Sequence, residues 1–260
     1  MSLKSIFITI LGAGLLTACS TDAVVPADST PVDEQAAIYP DYRDIIVPPN
    51  ICPLNVQIKS EGDEFVAAIA GQDGAPLTAA AGKDGKLFFD PQAWSDLLGK
   101  NTGGDLTVTL YASRNGAWVK HPDYKIHVAP EAIDRYLSYR LIEPGYELYR
   151  QVGLYQRDLE TFEQKPIYEN NRSYDSINNH CVNCHNYQNY DTKRMLFHVR
   201  AKHGGTVIVD NGKAKKVNMK CDSILSSTVY PAWHPRKNWL VFSSNQTGQA
   251  FHMDDRQKIE

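Results

Sequence analysis

The sequence predicts a mostly β protein, and three observations carry that prediction. Runs such as Leu106-Thr107-Val108-Thr109-Leu110-Tyr111 alternate apolar and polar residues, the period of a half-buried strand. Asp84-Gly85, Asn115-Gly116 and Asn211-Gly212 sit between such runs and are hairpin turn signals. The 260 residues are 42% hydrophobic and 22% charged, which excludes a disordered chain, a collagen-like repeat and a multi-span membrane protein. A net charge of −3 offers no general attraction for nucleic acid, which is therefore not an expected partner.

Residues 1–18 read as an export signal. Lys4 is the only charge before an apolar run from Ile6 to Leu16, about half the ~20 residues that a membrane-spanning helix needs. Leu16-Thr17-Ala18-Cys19 resembles the bacterial lipobox, which implies cleavage before Cys19 and acylation of its thiol. The mature protein is then anchored to a membrane through lipidated Cys19, at ~0.8 kcal/mol per buried methylene. The competing reading is a buried helix that ends in cysteine. Residues 19–40, rich in Ser, Thr, Asp, Ala and Pro, are expected to be a flexible tether.

Residues 41–129 are expected to form a sandwich of the immunoglobulin or fibronectin type. The strand candidates are Leu54–Ile58, Glu64–Ile69, Lys86–Phe89, Leu106–Tyr111, Ala117–Val119 and Tyr124–Val128, with a short helix over Pro91–Leu98. No chemistry stands out there, so the module reads as a spacer or binding domain. Residues 130–152 are expected to be a connector. Pro130 suits the first turn of a short helix, Pro144-Gly145 is a break, and Tyr136, Tyr139, Tyr146 and Tyr149 are expected to pack two domains together. Gly153–Leu159 returns to β-like alternation.

Chemistry concentrates in Cys181-Val182-Asn183-Cys184-His185. Cys-x-x-Cys-His is the attachment pattern of c-type haem. On a short helix, Cys181 and Cys184 would reach the two vinyl groups of one porphyrin, and His185 would lie beneath the iron as proximal ligand. Such attachment takes place outside the cytoplasm, where the export signal sends the chain. Three other readings compete. The thiols could form a redox disulfide, bind zinc with His185 and Cys221, or form a structural staple. For a sixth iron ligand the candidates are His198, His203, Met195 and Met219, with His203 favoured because Gly204-Gly205 allows close backbone approach. His180 is too close to Cys181 to reach the opposite haem face. Each candidate is also an ordinary surface or packing residue. With Cys19 lipidated, Cys52 and Cys221 remain, in different predicted domains.

Beyond the motif, Thr206–Val209 and Ala214–Val217 flank Asn211-Gly212 as strand, turn and strand. Then Tyr230-Pro231-Ala232-Trp233-His234-Pro235 and Leu240-Val241-Phe242-Ser243-Ser244 resemble the TolB-like β-propeller repeat, Pro-x-Trp-Ser-Pro-Asp-Gly followed by Phe-x-Ser. His234-Pro235-Arg236-Lys237-Asn238 replaces its Ser-Pro-Asp-Gly turn. Together with the haem motif and lipobox, residues 140–260 look like the Bacteroidota lipoproteins labelled cytochrome c biogenesis-like or propeller-repeat proteins. The resemblance implies a β-propeller in the cell envelope with the haem motif inserted, as a short helical segment, in an early blade. Residues 153–260 hold room for about two blades of ~40 residues, whereas closure needs about four. Either the chain is part of a longer propeller or its blades complete an assembly with another chain; the first is favoured, with the last strands expected to be poorly covered.

Three functional classes follow from these features. One is an outer-membrane lipoprotein with a single haem c that exchanges electrons with a redox partner. The second is a non-enzymatic scaffold that binds envelope proteins, its cysteines a structural disulfide. The third is a haem enzyme such as a peroxidase, for which no acid–base constellation is visible. Gly-x-Ser-x-Gly, phosphate-loop and His-Glu-x-x-His signatures are absent, and Asp254-Asp255 reads as a solvated pair in a charged tail.

Overall fold

The structure, a computed structural model, describes residues 23–142, 152–172, 180–224 and 228–244. The export signal, Cys19, Pro144-Gly145, Tyr146, Tyr149 and Asp254-Asp255 lie outside the described residues. No helix among the described residues is long and apolar enough to cross a membrane. The fold is mostly β, in several separate sheets, and the chain divides into two compact units. One unit runs to Arg135 and takes in Leu159–Thr161. The other holds Tyr136–Asp158 and the chain from Phe162 on.

The first unit contains β1 (Ser29–Pro31), β2 (Ile38–Tyr39), β3 (Ile45–Val47), β4 (Val56–Ile58), β5 (Glu64–Ala70), β6 (Leu77–Ala81), β7 (Lys86–Leu87), α1 (Pro91–Lys100), β8 (Asp105–Arg114), β9 (Ala117–Lys120) and β10 (Tyr124–Val128). Ten-residue β8 is the spine. One edge pairs with β5, and the other is shared between β9 and β10, all antiparallel. A second sheet runs β2-β4-β7. Phe65, Ala67 and Ile69 of β5 meet Leu106, Val108 and Leu110 of β8, Val56 and Ile58 of β4 and Leu87 of β7 in one core. Helix α1 adds Trp94, Leu97 and Leu98. Its start follows the sequence signal: Asp90 caps it by accepting from Ala93 N at 2.8 Å, and Pro91 occupies the first turn.

Part of the expected tether belongs to this unit. β1 pairs with β9 and β3 with β10, both in parallel, and β2 pairs with β4. Ala36 is buried in the core, and the buried His121 ring meets the Glu34 carbonyl at 2.8 Å. Edge backbone groups of β9 and β10 supply the hydrogen bonds, so the added segments need no apolar alternation of their own.

The second unit contains β11 (Tyr136–Leu141), β12 (Gly153–Asp158), β13 (Gln164–Glu169), β14 (Val182–Tyr187), β15 (Arg194–Val199), β16 (Gly205–Asp210), β17 (Lys213–Val217), β18 (Val229–Trp233) and β19 (Leu240–Ser243). They form three antiparallel meanders in chain order: β11-β12-β13, β14-β15-β16-β17 and β18-β19. The described residues close into neither a barrel nor a propeller. β11 replaces the connector helix expected after Pro130, and Tyr139 stacks on Tyr155 of the neighbouring strand (centroids 6.0 Å apart). The β16–β17 hairpin forms as expected, with Asn211 and Gly212 at φ 49° and 76°.

The four-stranded sheet buries both faces. Val182, Met195, Phe197 and Val199 pack with Val152 and Leu154, and Tyr168 meets Phe197 at 5.6 Å. On the other face Leu196, His198 and Thr206 are buried, and Phe242 of β19 lies 5.6 Å from the His198 ring. This explains why β15 reads as the nearly unbroken apolar run Met195-Leu196-Phe197-His198-Val199 instead of alternating. In the last meander Tyr230, Trp239 and Val241 are exposed. His234 takes the place of Ser in the resembled turn. Its Nδ1 accepts from the backbone N–H groups of Arg236 and Lys237, each at 3.1 Å, the work a hydroxyl does in a side-chain-capped turn.

Candidate functional site around Cys181 and Cys184

The Cys-x-x-Cys-His segment lies on β14 and the residue before it, not on a helix. Asn183 is opposite His198 and Asn186 opposite Leu196, so β14 carries one residue more than β15 between those pairs. That bulge centres on Cys184, whose φ is 56°. Extended backbone alone would send residues three apart to opposite faces. The inserted residue and the left-handed kink at Cys184 interrupt that alternation.

Cys181 is pinned from both sides. Its carbonyl accepts from Arg200 N at 2.8 Å, and the preceding His180 carbonyl accepts from Asn170 Nδ2 at 2.5 Å. Its side chain is buried, and burial pushes the thiol pKa up, opposed by the charges of Arg200 and Arg140 and reinforced by Cys184. Cys184 is half-buried. Its backbone N donates to the side chain of its neighbour Asn183 at 2.9 Å, and Arg200 Nη2 lies 4.0 Å from its sulfur. Asn183 Oδ1 also accepts from Arg140 Nη1 at 2.7 Å, which ties the bulge to β11. Cys181, Cys184 and Cys221 are free thiols.

His185 is half-buried, and burial lowers its pKa, while a backbone hydrogen bond with Ser138 of β11 works the other way. Tyr187, two residues on, reaches the same strand: its hydroxyl lies 2.7 Å from Ser138 Oγ. His198 pairs across the ladder with Asn183, and its ring lies 5.6 Å from that of Phe242. His203 is exposed in a short 3-10 turn, its ring edge-on to His180 at 5.5 Å. Met195 is buried opposite Tyr187 in the core, and Met219 is half-buried beyond β17.

The structure thus gathers Cys181, Cys184 and His185 with Arg140, Asn183, Ser138 and Arg200. It does not add Cys221, which is exposed, and Cys52 is buried in the other unit, where its backbone N donates to the Leu159 carbonyl at 2.8 Å. Among the described residues no group of three or more His, Cys, Asp or Glu side chains is arranged to hold a metal ion. The donor set nevertheless fits covalent haem. Two free thiols lie within electrostatic reach of each other, and an imidazole follows the second directly in sequence. Arg140, Asn183 and Arg200 left no trace in the local pattern, because strand pairing and the bulge bring them to the motif. The chain matches no protein-family model and no curated protein.

Proposed function

We propose that the chain is an exported lipoprotein of the outer membrane that carries one covalently attached haem c and passes electrons to a partner in the cell envelope. The observation that carries this reading is the pair of free thiols at the β14 bulge followed directly by His185. Cys181 and Cys184 are the thiols that would hold the group, each through a thioether to the porphyrin. His185 would supply the imidazole for the iron, and the Ser138 backbone lies beside it. Bound there, haem supplies a one-electron iron couple. Three consecutive antiparallel meanders and the His234-capped turn support a propeller-like reading of the second unit. Two sheets and α1 around one core support a sandwich reading of the first.

The test is a haem stain on a denaturing gel with a pyridine haemochrome spectrum, after export in a host with cytochrome c maturation machinery. Haem that survives denaturation in the parent and vanishes in Cys181→Ala/Cys184→Ala is the expected result. No bound haem, while a control cytochrome matures in the same cells, overturns the proposal and leaves the envelope scaffold with a Cys181–Cys184 staple.

A further inference from the structure

Charge is divided unevenly between the two units. Over the whole sequence the first holds 18 acidic and 10 basic residues, the second 12 acidic and 17 basic. The excess of cations gathers on the four-stranded sheet. Its outermost strand, β17, reads Lys213-Ala214-Lys215-Lys216-Val217, and the first four of these residues are exposed. Asp210, opposite Lys213, is the one carboxylate on β16 and β17. Lys193 lies at one end of β17, where its carbonyl accepts from Asn211 N at 2.9 Å. At the other end Lys216 Nζ donates at 3.3 Å to the carbonyl of His203, the residue after exposed Lys202. None of these five lysines forms an ion pair among the described residues, whereas Lys83, Lys120 and Lys125 of the first unit each face a carboxylate.

We propose that the β17 edge docks on a surface of anionic phospholipid headgroups, as a second membrane contact beside the acyl anchor. Side chains of a strand alternate between faces, so Lys213 and Lys215 share one face of the sheet and Lys216 has the other. Only a surface that meets the strand edge-on collects all three. A five-residue strand spans ~17 Å, which suits an extended array of phosphates better than a single one. β1 begins ten residues after Cys19, so at most ~35 Å of chain separates an anchored Cys19 from the fold. The acidic first unit is repelled by an anionic surface, which leaves the contact to the cations of the second. β17 exposes no large apolar side chain, so the attraction is electrostatic and screened by salt. An acyl anchor together with a basic patch holds a protein more firmly than either alone. The choice of a lipid surface rests on the lipoprotein reading, whereas the cationic edge does not. Lysines also keep an edge strand from pairing with other chains, but that role alone gives no preference for anionic lipid.

The experiment equilibrates the full chain with phosphatidylcholine vesicles and phosphatidylglycerol-containing vesicles together, then separates the two by density. Apolar anchoring acts equally on both and cancels, so the distribution ratio reads charge. The parent is expected to favour the phosphatidylglycerol vesicles and to lose that preference in high salt. Lys213→Gln/Lys215→Gln/Lys216→Gln should lower the ratio about a hundredfold, given the attraction of each surface lysine. Lys59→Gln/Lys83→Gln/Lys86→Gln makes the same change of net charge in the first unit and is expected to keep the preference. Equal losses in the two variants, or an even distribution of the parent, overturn the proposal. A variant-free check is amine acetylation of the vesicle-bound chain followed by peptide mapping. Lys213, Lys215 and Lys216 should be shielded on anionic vesicles alone, and equal labelling on both kinds overturns the proposal. Self-association that needs these lysines and that vesicles do not compete away assigns the edge to the acidic unit of a second copy, which also overturns it. Mass spectrometry of Cys19 tests the anchor separately: an unacylated Cys19 with the charge preference intact sinks only the lipoprotein reading.

Discussion

The Thr206 hydroxyl and His198 Nδ1 lie 3.0 Å apart inside the four-stranded sheet, and both residues are buried. His198 Nε2 is also buried and has no hydrogen-bond partner among the described residues. One ring nitrogen is therefore satisfied and the other is held against apolar neighbours such as Phe242. Thr206→Val leaves both nitrogens without a partner and is expected to cost about 1–3 kcal/mol. Adding His198→Leu removes the stranded polar group and should recover much of that loss. A double-mutant cycle in urea checks the coupling, and strictly additive changes would sink the pairing.

Burial, with a contribution from Arg200, lowers the His198 pKa below its ordinary 6.5. Below 6.5 the unfolded chain binds a proton at this site that the folded chain does not, so stability rises with pH across that window. The contribution is fully present above 6.5 and is lost as pH falls from 6.5 toward the folded-state value. Urea midpoints measured between about pH 5.5 and 7.5 should fall toward the acid end. The slope should be shallower in His198→Gln, and parallel slopes in the two proteins would contradict the assignment.

Gly85 is at φ 65°, and a Cβ there would stand 2.2 Å from the Ile58 carbonyl oxygen. Gly116, at φ 80° in the β8–β9 turn, has open space around that position. Gly116→Ala is expected to cost about 1 kcal/mol from backbone conformation alone. Gly85→Ala adds a backbone clash and should cost at least about 2 kcal/mol. Both residues lie in the first unit, so one thermal-unfolding series compares them; equal losses would show that the close approach carries no weight.

Asn101 ends α1 and reaches the loop before β6. Its Nδ2 donates to the Leu97 and Asp73 carbonyls, each at 2.8 Å, and its Oδ1 accepts from Asp73 N at 3.1 Å. Asn101→Ala is expected to cost about 1–3 kcal/mol. Asn101→Asp replaces a donor with a carboxylate oxygen facing two carbonyls and should cost more at neutral pH. The reverse order of the two variants in a urea titration would rule out this donor geometry.

Asn183 Oδ1 accepts from both Arg140 Nη1 and Cys184 N. Asn183→Ala removes both contacts, and amide exchange at Cys184 is expected to quicken by about tenfold, the equivalent of one lost hydrogen bond. Hydrogen exchange read by mass spectrometry or NMR measures it. Unchanged protection at Cys184 would mean that the bulge is held by the ladder alone.

Local pattern was enough for β5, β8, β9, β10, the α1 cap and the Asn211-Gly212 hairpin. Each declares itself within a few residues: alternation for strands buried on one face, Asp90-Pro91 for a helix start, Asn-Gly for a tight turn. The same reasoning failed on Cys181–His185, where spacing suited a helical turn but a β-bulge stands. It also passed over Met195–Val199, because a strand buried on both faces has no alternation to display. Ser29–Pro31 carries no apolar period at all and is a strand only because β9 offers an unpaired edge.

Composition, turn chemistry and residue identity belong to the chain as written: a mostly β architecture, the two cysteines and the histidine that follows them. Surroundings are another matter. The unequal burial of Cys181 and Cys184, the approach of Arg200, the Ser138 backbone at His185 and the pairing of Asn183 with His198 all depend on strand register. A one-residue bulge exchanges which side chains share a face, and its presence is settled by pairing with β15 rather than by the residues that form it.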